Sequence, residues 1–479
     1  MLFGVAASLA LPAGAGAAAP VQQSPWVGAW QGTITAGTTR LRIVFRITES
    51  SDRGDGGLRA TMDSPDQGVT GIPVATVTVN GDSIRLDMPT ISAGAVYAGR
   101  RLQDPERIEG EWRQGGVVVP LALERTDGTI EAERRPQDPA PPYPYREEQV
   151  EIEASGIRLA GTLTLPPAAG PVAAVVLISG SGAQDRDEAM AGHRPFLVLA
   201  DRLARSGVAV LRMDDRGVGG STGSTFGTTL RERAADVLAM VRFLAARPEV
   251  DPERIGLLGH SEGGWVAPLA ATQAPDEIAF LVLLAGPAQS PRDNVLSAQR
   301  AVLAGRGADE ETIAAVLALN RAAFEVLDET PDSAAAAARL RELEAELMRE
   351  LPDAQARALE AYLDAQPEGA RAQTRRVANT TWFRDLLAYD PEPALRRLTQ
   401  PVLAIYGEHD VQVPADENAP LLARLLDADT RDDRTVRVLP GLNHLLQPSR
   451  TGLPEEYPVI ETTIAPTVLD LVAGWVGGR

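Results

Sequence analysis

The chain has 479 residues, 44% of them apolar, and its 46 basic and 65 acidic side chains leave a net charge of −19. That length calls for two or three domains, and the surplus of acid repels a polyanion, which argues against nucleic acid as a partner. The absence of cysteine excludes disulfides, thiolate metal sites, a cysteine nucleophile and a lipid-bearing N-terminal cysteine.

The first twenty residues read MLFGVAASLALPAGAGAAAP. Leu2–Leu11 is an apolar core of signal-peptide length, and Ala17-Ala18-Ala19 offers small residues for cleavage ahead of Pro20. Residues 1–19 are therefore expected to be a signal peptide, although no Lys or Arg precedes the apolar run. The mature protein is expected to be exported, periplasmic or extracellular. No later run reaches the length of a spanning helix, so no stable membrane insertion is expected once the signal is removed.

Residues 26–135 are rich in β signals. In TRLRIVFRITE, Leu41, Ile43, Phe45 and Ile47 alternate with Arg40, Arg42, Val44 and Arg46, the period of a half-buried strand. VATVTVNGDSIRLDM holds two such runs around Asn80-Gly81, a strong hairpin signal. GEWRQGGVVVPLALER suggests another pair, and Asp63–Gly68 has turn chemistry. A small antiparallel sandwich or barrel is expected here. Residues 136–149 are dense in proline and read as a semi-rigid linker.

From residue 150 to 479 the rhythm changes. Nearly continuous β-branched runs, such as VAAVVLIS and VAVLRMD, alternate with amphipathic segments such as RPFLVLADRLARSG and LRERAADVLAMVRFLAARP. Such alternation predicts a mostly parallel sheet with helices on both faces. Between about 291 and 398 it breaks into strong helix formers of mixed charge. No clean heptad persists and Pro352 interrupts the run, so a helical insertion is expected rather than a coiled coil.

The chemistry centres on RIGLLGHSEGGWVAPLAA. Gly259-His260-Ser261-Glu262-Gly263 follows a buried apolar run and precedes an apolar stretch. That context suits a serine on a sharp strand-to-helix turn, with glycines letting the turn close. A serine hydroxyl needs a base, and the base needs an orienting acid. Of the four histidines, His260 sits inside the turn, His193 lies before it and His409 directly precedes an acid. His444, in the loop after RTVRVLP, is the expected base. Asp410 closes the buried run PVLAIYGEHD and is the expected acid, with Glu408 as competitor. Two N–H donors are needed for an oxyanion. The backbone N–H of Glu262 is one choice and that of Ser181, in ISGSGAQDRDE, the other, with Gly182 second. Asp215 and Arg216 are read as loop braces through an ion pair, and Asp185, Arg186 and Asp187 as scaffolding. Trp382 and Phe383 are candidate pocket walls, with packing of the insertion on the core as the preferred role.

GHSEGG, ISGSGAQDRDE, RMDDRGVGGSTG, GEHDVQVP and LPGLNHLLQP together resemble the bacterial α/β-hydrolase esterases with a helical cap. More narrowly, the chain is similar to an exported branch that carries an N-terminal β domain, whose members are often labelled serine aminopeptidase-like. The resemblance implies an α/β-hydrolase fold preceded by a small antiparallel β domain. It implies hydrolysis of a small-molecule carboxylic ester through an acyl-enzyme, with Ser261, Asp410 and His444 at the positions of the family's triad. No metal and no cofactor are implied. A serine peptidase on the same fold and a non-catalytic binding protein are the competing readings; oligomeric state is not legible.

Overall fold

Alternating side chains build the first unit. The computed structural model describes residues 24–479 apart from 37–38, 50–56, 65–68, 89–93, 104–105, 115–116, 127–134, 169, 367 and 429. The expected signal peptide lies outside the described residues, as does most of the turn expected at Asp63–Gly68. Nine strands follow in the chain: β1 (Gly28–Ala36), β2 (Thr39–Glu49), β3 (Leu58–Ser64), β4 (Val69–Pro73), β5 (Thr76–Asn80), β6 (Ser83–Met88), β7 (Ala95–Gln103), β8 (Glu106–Gln114) and β9 (Val117–Thr126). They form one antiparallel sheet in the order β4-β3-β2-β1-β9-β8-β7-β6-β5. The edge strands β4 and β5 are consecutive in the chain, joined only by Val74 and Ala75. Val74 N–H donates to Ala60 of β3 at 3.1 Å, and Ala75 N–H donates to Asp87 of β6 at 2.9 Å. Two residues thus step from one edge of the sheet to the other, which requires the sheet to curl into a barrel-like wall. Trp30, Phe45, Tyr97, Trp112, Leu121 and Leu123 fill its interior. Ile43 and Ile47 join them, on the face the alternation picks out.

The hairpin between β5 and β6 differs in its tip. Asn80 pairs with Ser83, so the two-residue loop is Gly81-Asp82 rather than Asn80-Gly81. Gly81 alone takes a positive φ, +58°. Asn80 stays in the ladder, and glycine absorbs the left-handed turn without a Cβ penalty.

The expected linker is shorter than 136–149, because Arg146–Gln149 already belong to the next strand. It is also not a free tether. The Arg135 guanidinium donates to the carbonyls of Ala191, Gly192, Pro458 and Ile460. Gln137 Oε1 accepts from Thr463 N–H at 2.6 Å and Ile464 N–H at 3.0 Å. Asp138 pairs with Arg194 at 2.8 Å. Proline leaves this segment few backbone donors, and side chains fasten it instead.

The second sheet has eight strands: β10 (Arg146–Ala154), β11 (Ile157–Leu165), β12 (Val172–Ile178), β13 (Ala209–Met213), β14 (Val250–His260), β15 (Phe280–Leu284), β16 (Val402–Gly407) and β17 (Arg434–Leu439). Their order is β10-β11-β13-β12-β14-β15-β16-β17. β10–β11 and β11–β13 are antiparallel; the rest run parallel. The central strands are buried on both faces, which explains their unbroken apolar sequences. Helices α1 (Pro195–Arg205) and α12 (Pro466–Gly477) cover one face. Helices α2 (Leu230–Ala245), α3 (Gly263–Gln273), α10 (Glu392–Arg397) and α11 (Ala415–Leu425) cover the other. Thr229 and Glu232 cap α2 reciprocally, fixing where it starts.

Six helices stand between β15 and α10: α4 (Pro291–Gly305), α5 (Glu310–Glu329), α6 (Ser333–Glu350), α7 (Asp353–Asp364), α8 (Glu368–Ala378) and α9 (Thr381–Ala388). Pro352 ends α6 and precedes α7, as its missing N–H dictates. Two small clusters hold these helices together, one around Ile313, Leu317 and Leu359, the other around Phe324, Leu340 and Leu387. No helix among the described residues is long and apolar enough to cross a membrane.

Candidate active site

β14 runs straight into a reversal at Ser261. The residue has φ +51°, a left-handed conformation that a non-glycine residue adopts at a cost of about 1–3 kcal/mol. Its N–H donates to Leu284 at 3.0 Å and its carbonyl accepts from Gly264 at 2.7 Å, so the turn is held from both sides. The glycines are required by space. A Cβ on Gly259 would sit 2.1 Å from the Gly263 carbonyl oxygen, and one on Gly263 would sit 2.3 Å from that of Ile178. α3 begins directly after, aiming its N-terminal dipole at the serine.

Ser261, His444 and Asp410 come together. His444 Nε2 lies 3.1 Å from Ser261 Oγ, and His444 Nδ1 lies 2.9 Å from Asp410 Oδ2. Asp410 and His444 are buried. The other carboxylate oxygen, Oδ1, accepts the N–H groups of Gln412 and Val413, each at 2.8 Å. Glu408 is engaged elsewhere, accepting Gly441 N–H at 2.9 Å. Asn443 shapes the histidine loop: its buried Oδ1 accepts Leu445 N–H at 3.0 Å and Gln447 N–H at 2.9 Å.

The Ser181 hydroxyl donates to Glu262 Oε2 at 2.9 Å, which places the loop after β12 against the elbow. Neither the Ser181 N–H nor the Glu262 N–H has a hydrogen-bond partner among the described residues. Gly182 has φ +94° and lets the loop turn away.

Further groups surround the elbow, and of these Glu188 and Arg233 were not singled out from the sequence. Glu188 and His260 form a buried pair, Nδ1 to Oε1 at 2.9 Å. His260 Nε2 faces the His444 carbonyl at 3.1 Å, so it carries a proton and donates. Burial alone would lower the His260 pKa. The Glu188 charge and hydrogen bond, with the His444 carbonyl, outweigh burial and raise it. Arg233 of α2 forms a buried ion pair with Glu262 and also donates to Ser179. Trp382, at the start of α9, packs into the core beneath the insertion, and its indole N–H donates to Glu262 at 3.1 Å. Phe383 lies against the same cluster, half-buried.

Arg216 and Asp215 both act as braces, each facing an oppositely charged residue of α2. Arg216 makes a two-pronged bond to Asp236 at 2.6 and 2.8 Å. Asp215 accepts from Ser179 Oγ at 2.8 Å and faces Arg233 at 3.7 Å. Burial raises the Asp215 pKa to about 6. Arg186 binds Asp214, and Arg212 binds Asp187, so Arg186 and Asp187 are scaffolding.

Asp185 Oδ1 accepts the N–H groups of Asp187 at 3.1 Å and Ala189 at 2.9 Å, and burial lifts its pKa from 3.8 to about 6. Its folded form therefore binds a proton more tightly than its unfolded form. Stability from this group is present below about pH 4 and is lost as pH rises toward 6. Asp185→Asn keeps the acceptor and removes the buried charge. It should raise stability at pH 8 by no more than about 2 kcal/mol, given its partial exposure, and leave it unchanged at pH 3.5. Urea melts at the two pH values check this.

The chain is 29% identical over 333 residues to Esterase EstD of Thermotoga maritima, covering 69% of this chain and 67% of that protein. Est1E from Butyrivibrio proteoclasticus, solved with ferulic acid bound, is 18% identical, covers 69% of this chain and 96% of its own, and superposes with a TM-score of 0.39. A hypothetical protein from Pseudomonas aeruginosa is 19% identical, covers 73% of this chain and 98% of its own, with a TM-score of 0.44. Residues 155–430, more than half of the chain, match the model of the X-Pro dipeptidyl-peptidase (S15) family, and the protein belongs to that family.

Proposed function

We propose that the protein is an exported serine esterase that cleaves carboxylic esters of short acyl chains through an acyl-enzyme, with the six-helix insertion as its cap. The observation that carries this reading is the hydrogen-bonded run from Asp410 through His444 to Ser261 on a strained turn. Export rests on the first 19 residues alone.

In this reading Ser261 Oγ attacks the ester carbonyl carbon and its proton passes to His444 Nε2. Asp410 accepts the Nδ1–H, which leaves Nε2 free as base and stabilises the imidazolium that forms. The carbonyl oxygen becomes an oxyanion, held by the N–H groups of Glu262 and Ser181. His444 then gives its proton to the departing alkoxide, the C–O bond breaks and an alcohol leaves. Water attacks the acyl carbon with His444 again as base. The acid departs and Ser261 recovers its proton. These steps draw only on side chains and backbone amides.

Membership of the S15 family favours a second reading, a peptidase that releases X-Pro dipeptides. Such an enzyme must hold the free ammonium of its substrate, and a carboxylate is the usual partner for an ammonium. The carboxylates that touch the elbow and its loops face partners within the fold: Asp410 faces His444, Glu262 faces Arg233, Asp215 faces Ser179, and Glu188 is buried with one oxygen on His260. The relative named an esterase points the same way. p-Nitrophenyl butyrate should be turned over, and X-Pro and aminoacyl p-nitroanilides should not. Turnover of the anilides alone would sink the esterase reading.

A further inference from the structure

The Glu262 carboxylate takes no part in those proton transfers, yet it is wholly buried and densely bonded. Arg233 pairs with Oε1. Trp382 Nε1 donates to both oxygens at 3.1 Å, and the Ser181 hydroxyl donates to Oε2 at 2.9 Å. Four parts of the chain thus converge on one side chain: the elbow, the loop after β12, α2 and the insertion. Ser181 is pinned on either side as well. Its carbonyl accepts from Gln184 Nε2 at 3.1 Å, and the N–H of Gly180 donates to Glu188 at 2.7 Å. Gly180 lies against the nucleophile, since a Cβ there would come within 3.2 Å of Ser261 Cβ.

This loop has glycine on both sides of Ser181, so its backbone is conformationally permissive. An oxyanion donor, by contrast, must sit about 2.7–3.1 Å from the developing charge, and a misplacement of about 1 Å costs on the order of 100-fold. Something must hold the Ser181 peptide in register with the Glu262 peptide. We propose that the Glu262 carboxylate is a positioning group for the oxyanion site: anchored on Arg233 and Trp382, it grips the Ser181 hydroxyl and so fixes the separation of the Ser181 and Glu262 N–H groups. The inference rests on the reading in which those two amides receive the oxyanion.

Ser181→Ala tests it, because it keeps the amide and deletes the grip. kcat on p-nitrophenyl butyrate should fall about tenfold, with KM held within about twofold and Tm unchanged. Ser181→Thr retains the hydroxyl and should restore kcat. Glu262→Gln should lower kcat in the same way and also lower Tm, because Arg233 loses its closest counter-charge. A Ser181→Ala enzyme with wild-type kcat, or one with raised KM at constant kcat, would overturn the proposal. Covalent labelling by a fluorophosphonate separates the two levels. If the wild-type chain does not label, the serine-hydrolase reading fails; if it labels and Ser181→Ala turns over normally, only the positioning role fails.

Discussion

Ser261→Ala should lower kcat/KM on p-nitrophenyl butyrate by about 10⁴-fold or more and abolish labelling by a fluorophosphonate. The hydroxyl is the one group that His444 Nε2 addresses at 3.1 Å. Among the described residues no other hydroxyl is bonded to His444 Nε2. Ser181 Oγ is committed to Glu262 and Ser179 Oγ to Asp215. Alanine keeps a Cβ, so the left-handed strain at this position persists and the fold should be retained by circular dichroism. Adding His444→Ala to Ser261→Ala should cost little more, since the two groups act as a unit. Persistent labelling of the alanine variant would mean that the reacting serine lies elsewhere.

Asp410→Asn should lower kcat by about 10⁴-fold with the fold intact, and the local bonding says why. Oδ1 is held by two N–H groups, those of Gln412 and Val413, while Oδ2 faces His444. An asparagine would leave its carbonyl oxygen with the two amides, so its NH₂ would turn toward His444 Nδ1. A donor facing Nδ1 forces the imidazole proton onto Nε2. That tautomer cannot take the serine proton. Single-turnover kinetics and thermal melts on the variant check both halves of the statement; a kcat within tenfold of wild type would remove Asp410 as the group that orients His444.

Ser261 and Asp410 were legible because each follows a buried apolar run, and runs of that kind become parallel strands whose ends converge; His444 follows the half-exposed edge strand β17 and was legible from its place in the last loop before the final helix. The two glycines of the elbow were legible for a steric reason that the geometry makes explicit. Glu188 was not, because its partner His260 is 72 residues away and nothing local marks the pair. Arg233 sits in an amphipathic helix, where an arginine ordinarily faces water; only the tertiary fold turns it toward Glu262. Glu262 itself was read for its amide alone, and its carboxylate has more neighbours than any periodicity reveals. The tip of the β5–β6 hairpin lies one residue later than Asn80-Gly81, with Asn80 paired to Ser83 and Gly81 taking the positive φ.

The fastening of the proline-rich segment has a consequence for the order in which the chain acquires its structure. The barrel-like unit leaves the ribosome first and closes on contacts within the first 126 residues. The seats for Arg135 and Gln137 are made by residues 458–464, more than 320 positions downstream. The segment directly behind the first unit can take hold of Ala191, Gly192 and Arg194 early, but its remaining seats must wait for almost all of the remaining chain. N-terminal domains fold first during synthesis, but here the junction between the two units is fully secured only at the end, when the C-terminal stretch that follows His444 adds its half of the bonds.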